Sequence, residues 1–315
     1  MNTISEKQKF EISEAIRDYM DQKNVSQNAL SKSAGVSSAY ITYILKGEWN
    51  SFPNSGGKAV AIKDATFNKL ALAVGYEIQQ SYWQHFDTEN YKAIRLACME
   101  AREYREPRGI DGYTGAGKTY SLESYVRKNP NETYYIKVTD DMSVKDVIEE
   151  LGRKVGVSVG GSRYKLRREI CRKVMNMDKP LIIIDEAENL RDGSWGALKA
   201  IYDDLEHRAG IVLAGMNIQQ DITRKAGRMK KHFPQIERRF EGTWTFMNDM
   251  TLEDVSMVCR GLGITVNSVK NWLFKNTRNF GSLSRVVKGA LKYSKETGEP
   301  MDGHLLNSLY PQYIR

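Results

Sequence analysis

Cysteine is scarce in this 315-residue chain, and Cys98, Cys171 and Cys259 are odd in number and far apart. They can build neither a disulfide framework nor a Cys-x-x-Cys metal knuckle, so they are expected to be buried thiols. Histidine is nearly as rare, and His85, His207, His232 and His304 lack the close spacing of metal ligands. No segment has the roughly 18 uninterrupted apolar residues that cross a bilayer, and the first residues carry no apolar stretch of signal-peptide type. Internal repeats and low-complexity tracts are missing as well. These absences exclude a disulfide scaffold, a zinc module and a solenoid, and they point to a cytoplasmic globular protein without a membrane span.

The length suffices for two or three domains, and 41% hydrophobic residues can give each a core. A net charge of +8 suggests a polyanionic partner, and its distribution is uneven. Residues 1 to 90 hold nine Lys/Arg against ten Asp/Glu, leaving 38 against 29 in residues 91 to 315. The excess positive charge therefore belongs to the later part.

Residues 6–23 place Phe10, Ile12, Ile16 and Tyr19 at spacings near three and four, which predicts an amphipathic helix. Residues 27–33 and 38–45 predict two short helices broken by the turn Ala34-Gly35-Val36-Ser37. A Gly-, Ser- and Pro-rich loop at 47–58 leads to a further helix at 65–74, where Phe67, Leu70, Leu72 and Ala73 can close a small core. This gives a helical domain over 1–76. Residues 77–106 are expected to be a linker, without clear period over 78–88, and a leading helix from Tyr91 to Tyr104. From Arg108 strands and helices alternate, which implies an α/β core with a parallel sheet over 107–248. A helical lid is expected at 249–315, opening on a Thr251/Asp254 capping box.

The chemistry concentrates at two places in the alternating region. Gly112-Tyr113-Thr114-Gly115-Ala116-Gly117-Lys118-Thr119 satisfies the phosphate-loop spacing Gly-x-x-x-x-Gly-Lys-Ser/Thr. Its glycines let backbone N–H groups curl around phosphate oxygens, Lys118 can reach the β- and γ-phosphates, and Thr119 can ligate Mg2+. Further on, the apolar run 181–184 ends in Asp185 and Glu186, as a buried strand does when its tip faces a ligand crevice. Asp185 is expected in the magnesium shell, and Glu186 as the base that polarises an attacking water. The pair predicts an ATPase with ATP and Mg2+ as its cofactors.

With these motifs the chain resembles the AAA+ ATPases. The resemblance implies a sensor at Asn217, after the strand-like 211–214, and an arginine supplied to a neighbouring subunit. Arg239 is the better candidate for that finger and Arg238 the second. It further implies a lid arginine, Arg285 in Gly281-Ser282-Leu283-Ser284-Arg285, reaching the γ-phosphate in cis.

The N-terminal helices resemble the helix-turn-helix of phage-repressor type, and Ser38, Tyr40 and Tyr43 are among the residues available for a major groove. The near-neutral charge of this domain leaves docking to a protein as the other reading. Within the later part, Arg163, Lys165, Arg167 and Arg168 follow the pair Gly160-Gly161 and suit tracking of a DNA backbone. The order of parts is similar to the Mu B transposition protein family. That resemblance implies duplex DNA and a transposase as partners, with homo-oligomers, filament or ring, forming on the DNA in the ATP state. A replication-type loader of the DnaC or IstB sort, and an ATP-switched helix-turn-helix regulator, are the competing readings.

Overall fold

The computed structural model describes residue 4 and residues 6–53, 59–76 and 82–314, which divide into two compact units, Met1–Ser81 and Tyr82–Arg315.

The first unit contains α1 (Glu6–Lys23), α2 (Gln27–Ala34), α3 (Ser38–Lys46), the strands β1 (Phe52–Pro53) and β2 (Ala59–Val60), and α4 (Asp64–Ala73). β1, inside the stretch expected to be a loop, pairs antiparallel with β2 just beyond it. Ser26 caps α2 by accepting from the Ala29 N–H, and Gly35 ends it at φ +60°, a conformation that disfavours a Cβ. Glycine thereby sets the turn into α3. Ile12, Ile16, Leu30, Ile41, Ile44, Phe67 and Leu70 are fully buried, but Phe10 and Leu72, expected in this core, are 58% and 84% exposed. Each lies two residues, about 200° of helix, from a core residue of its own helix (Ile12 and Leu70), and so faces away from it.

The second unit runs α5 (Glu89–Tyr104), β3 (Pro107–Asp111), α6 (Lys118–Lys128), β4 (Thr133–Lys137), α7 (Val144–Val155), α8 (Arg163–Met175), β5 (Leu181–Asp185), α9 (Asp192–Leu205), β6 (Gly210–Gly215), α10 (Ile218–Gly227), α11 (Phe233–Phe240) and β7 (Trp244–Phe246). The five strands form one parallel sheet in the order β4-β5-β6-β3-β7. Residues alternate between its faces. Ile182, Ile184 and Leu213 join the core beneath α7 to α11, while Leu181, Ile183, Val212 and Ala214 join the one beneath α5 and α6. Because both faces are covered, β5 and β6 are buried along their whole length.

The lid is α12 (Leu252–Gly261), α13 (Asn267–Asn276), α14 (Phe280–Thr297) and α15 (Gly303–Leu309), packed around Val255, Val258, Leu273, Leu283, Val286 and Leu306. The expected capping box forms, with Thr251 and Asp254 bonding reciprocally at the start of α12. The expected linker begins outside the described residues, but from Tyr82 onward it is ordered into the second unit. Trp83 and Phe86 pack against the lid cluster. Among the described residues no helix is long and apolar enough to cross a membrane.

Candidate functional site

The carboxyl ends of β3, β5 and β6 converge where the connections of the sheet diverge, the place at which open α/β sheets take ligands. β3 runs out at Asp111 into the loop 112–117, and α6 starts at Lys118. Gly115 and Gly117 hold φ near +90°, which an L side chain rarely adopts. A Cβ on Gly115 would also come within 2.5 Å of the Asn279 side chain, because the lid's α14 begins against this loop, with the Phe280 N–H donating to the Gly115 carbonyl at 3.2 Å. Lys118 turns its ammonium back onto the loop, donating to the carbonyls of Gly112 and, at 3.1 Å, of Tyr113. Burial pulls its pKa below the ordinary lysine value, against the pull of the carboxylates of Glu188, Asp185, Asp111 and Glu186. The loop, Thr119, Tyr120, Asp185, Glu186 and Glu188 enclose a cavity of about 190 Å³. Thr114 and Ala116 complete the loop, with Ala116 buried.

Asp185 is fully buried and fixed from three sides. Its Oδ2 accepts from the Thr119 hydroxyl at 2.7 Å and the Tyr135 hydroxyl at 2.9 Å, and its Oδ1 from the Glu186 N–H at 2.9 Å. Hydroxyl and carboxylate oxygens suit Mg2+, which keeps water and takes few protein ligands. Among the described residues no three His, Cys, Asp or Glu side chains group as metal ligands, so magnesium here would rest on Thr119, Asp185, water and phosphate oxygens. Glu186 sits in left-handed backbone at φ +55° and pairs with Lys137 Nζ at 2.9 Å.

Four residues of this site escaped the sequence reading. Tyr135 and Lys137 lie two apart on β4, so the strand's period of two puts both on one face toward Asp185 and Glu186. Asp111, the last residue of β3, accepts from the N–H groups of Asn217 and Gln219 at 2.8 and 2.9 Å, and so ties the phosphate loop to the turn after β6. Glu188 lines the cavity at its rim, and partial desolvation of its carboxyl raises its pKa. Asn217 itself is exposed, at φ +56°, one residue before α10.

A second cavity of about 310 Å³ adjoins the first, lined by Trp83, Phe86, Tyr91, Tyr120, Phe280 and the loop glycines. α14 turns Phe280, Gly281, Ser284 and Lys288 to it. Arg285, the lid residue expected to reach the γ-phosphate, is exposed and bonds the Tyr313 hydroxyl at 3.4 Å. One residue is about 100° of helix, so Ser284 takes the facing position and Arg285 does not.

The finger candidates also divide. Arg239 is half-buried, ion-paired with Asp203 and laid over the Tyr202 ring at 4.6 Å, whereas Arg238 is exposed and forms no ion pair among the described residues. The packing thus leaves Arg238, the second candidate, as the freer of the two side chains.

The DNA candidates separate in the same way. Arg163 and Lys165 are exposed in the first turn of α8, without ion pairs among the described residues. Arg167 bonds the Ala200 carbonyl at 3.0 Å and pairs with Asp204, and Arg168 lies 3.7 Å from the same carboxylate. These two anchor α8 to α9. In the first unit the Ser38 carbonyl accepts from the Gln27 side chain at 2.7 Å, and Tyr43 packs its ring 4.6 Å from Phe52. Tyr43 is thereby partly buried against the domain's core, while Tyr40 stays at the surface, edge-on to the same ring.

Residues 109–222 match the family model of an AAA domain. No curated protein matches the sequence. The fold is similar to that of domain III of the Thermotoga maritima replication initiation protein DnaA, at 20% identity and a TM-score of 0.51 over 74% of this chain and 95% of that one. It is similar to the Aeropyrum pernix Orc1 protein in complex with DNA, at 14% identity and 0.51 over 75% and 68%. It is also similar to AMPPCP-bound DnaA from Aquifex aeolicus, at 18% and 0.50 over 72% and 67%. The second unit therefore has an α/β fold with an AAA+ core.

Proposed function

We propose that the protein is a magnesium-dependent ATPase that binds duplex DNA, oligomerises on it in the ATP state and delivers target DNA to a transposase. The observation that carries the ATPase reading is the joining of the two motifs at Asp185. The Thr119 hydroxyl, a magnesium ligand in this reading, meets the Asp185 carboxylate at 2.7 Å, with Glu186 one residue away and Lys118 in the same cavity. Phosphates entering the loop would draw Lys118 off the Gly112 and Tyr113 carbonyls, and the developing charge would be met by Lys118, the loop N–H groups and magnesium. Asn217 would orient the water that Glu186 activates. DNA binding is supported by the positive excess beyond residue 90 and by Arg163 and Lys165, exposed cations without ion pairs among the described residues. The Orc1 protein of similar fold was solved with DNA and the Aquifex DnaA with AMPPCP, the ligand classes proposed here. Transposition rests on the likeness in order of parts to the Mu B family.

Lys118→Ala is expected to abolish ATP binding, and Glu186→Gln to bind ATP while hydrolysing it roughly 10²- to 10⁴-fold more slowly. Equilibrium binding and steady-state phosphate release measure the two. Normal turnover by the Glu186→Gln protein would remove Glu186 from the base position. Electron microscopy with duplex DNA, with and without a non-hydrolysable ATP analogue, tests assembly, and a protein that stays monomeric on DNA in both states sinks the delivery reading.

A further inference from the structure

Two cavities meet at the phosphate loop, and the residues lining both are Gly115, Gly117 and Tyr120. One holds the loop, Lys118 and the acidic pair. The other is walled by Trp83, Phe86, Tyr91 and Phe280, flat apolar surfaces suited to a base. A nucleotide with phosphates in the first and base in the second must pass its sugar across the residues they share. Two of these are glycines, so Tyr120 is the side chain at the crossing.

The Tyr120 hydroxyl is also held in place. His85 Nδ1 lies 3.1 Å from it, and His85 Nε2 lies 2.9 Å from Asp87 Oδ1. The imidazole stands edge-on to the buried Tyr91 ring at 4.2 Å and is stacked over Tyr120 at 5.9 Å, and Lys128 fixes the Tyr91 hydroxyl at 2.9 Å. A carboxylate only accepts, so Asp87 places the proton of the neutral ring on Nε2 and leaves Nδ1 to accept from the Tyr120 O–H. The phenol oxygen then retains lone pairs and no proton to give. Its complement is a donor, and a sugar offers one as a hydroxyl.

From this we infer that Tyr120, oriented by His85 and Asp87, accepts a hydrogen bond from a ribose hydroxyl of the bound nucleotide and discriminates against an analogue that lacks this hydroxyl. The inference rests on the nucleotide-binding reading and adds a sugar-recognition role for Tyr120. His85 and Asp87 are positioning residues, since they act through the phenol. A net hydrogen bond of this kind corresponds to a preference of about 2- to 12-fold.

The test compares dissociation constants of the full chain for ATP, 2′-deoxy-ATP and 3′-deoxy-ATP. Wild-type protein is expected to prefer ATP over at least one deoxy analogue by that factor, and Tyr120→Phe to bring the ratio to about one. His85→Ala is expected to shrink the ratio as well, which a purely structural role for His85 would not do. Equal wild-type affinity for all three nucleotides overturns the inference, as does a ratio that survives in Tyr120→Phe. If the wild type binds none of the three, the nucleotide reading itself falls and takes this role with it, an outcome distinct from binding without discrimination.

Discussion

Arg238 and Arg239 are neighbours in the chain, yet α11 turns them about 100° apart, and this decides which is free to reach outward. To reach outward, Arg239 would have to leave both Asp203 and the Tyr202 ring. Arg238 has no such tie among the described residues. Arg238→Ala is therefore expected to bind ATP normally and to lose DNA-stimulated hydrolysis by roughly 10³-fold, the low end for an arginine finger. Arg239→Ala should instead lower stability by about 1–3 kcal/mol, read from urea unfolding. Mixing Arg238→Ala with Glu186→Gln protein restores intact interfaces if the arginine acts in trans, and no recovery at any ratio counts against it. The ion pair between Lys137 and Glu186 belongs to the same scale, because in the proposed mechanism the ammonium has to move aside for Glu186 to reach water.

At the scale of the element, α8 carries its charge in two different ways. Cations in the first turn of a helix oppose its dipole, at about 0.3–1 kcal/mol each, so Arg163 and Lys165 do not serve the helix they begin. Arg167 and Arg168 do, through Asp204 on α9. Reversing Arg163 and Lys165 to glutamate should leave the fold intact and weaken duplex binding about equally for unrelated sequences. Each lost phosphate contact should flatten the logarithmic salt slope by roughly 0.9. Arg167→Ala should mainly cost stability. Fluorescence anisotropy over a salt series measures the first effect, and an unchanged slope in the reversed protein would rule out these two residues as phosphate contacts.

For the whole molecule, the division at Ser81/Tyr82 separates a near-neutral unit from the one that holds the positive excess and the nucleotide site. The three apolar clusters of the second unit are built from residue 83 onward. Removing residues 1–76 is therefore expected to keep ATP binding, and to reduce non-specific duplex affinity less than the Arg163/Lys165 reversal does. If the truncated protein loses all DNA binding while the reversed one binds normally, the helix-turn-helix unit is the main DNA reader and the regulator reading gains.

The phosphate loop and the Asp185-Glu186 strand tip were legible in the sequence because their chemistry is local. The backbone needs glycine at particular positions, and a strand covered on both faces must be apolar until it reaches the ligand. The alternation of strands and helices was legible for a similar reason, since period and covering of the faces fix the class of sheet. Strand order, and with it the meeting of Thr119 with Asp185 and of Asp111 with the turn at Asn217, came only from the tertiary structure, because those partners lie 66 and 106 residues apart. The same holds for Trp83 and Phe86, aromatic residues in a stretch without period, whose place against the lid no local pattern encodes. Arg239, Arg285 and Tyr43 are placed away from where their expected roles would put them for one physical reason. Residue type shows what a side chain can do, whereas one residue's rotation about a helix, and what lies on that side, decide whether it is available to do it.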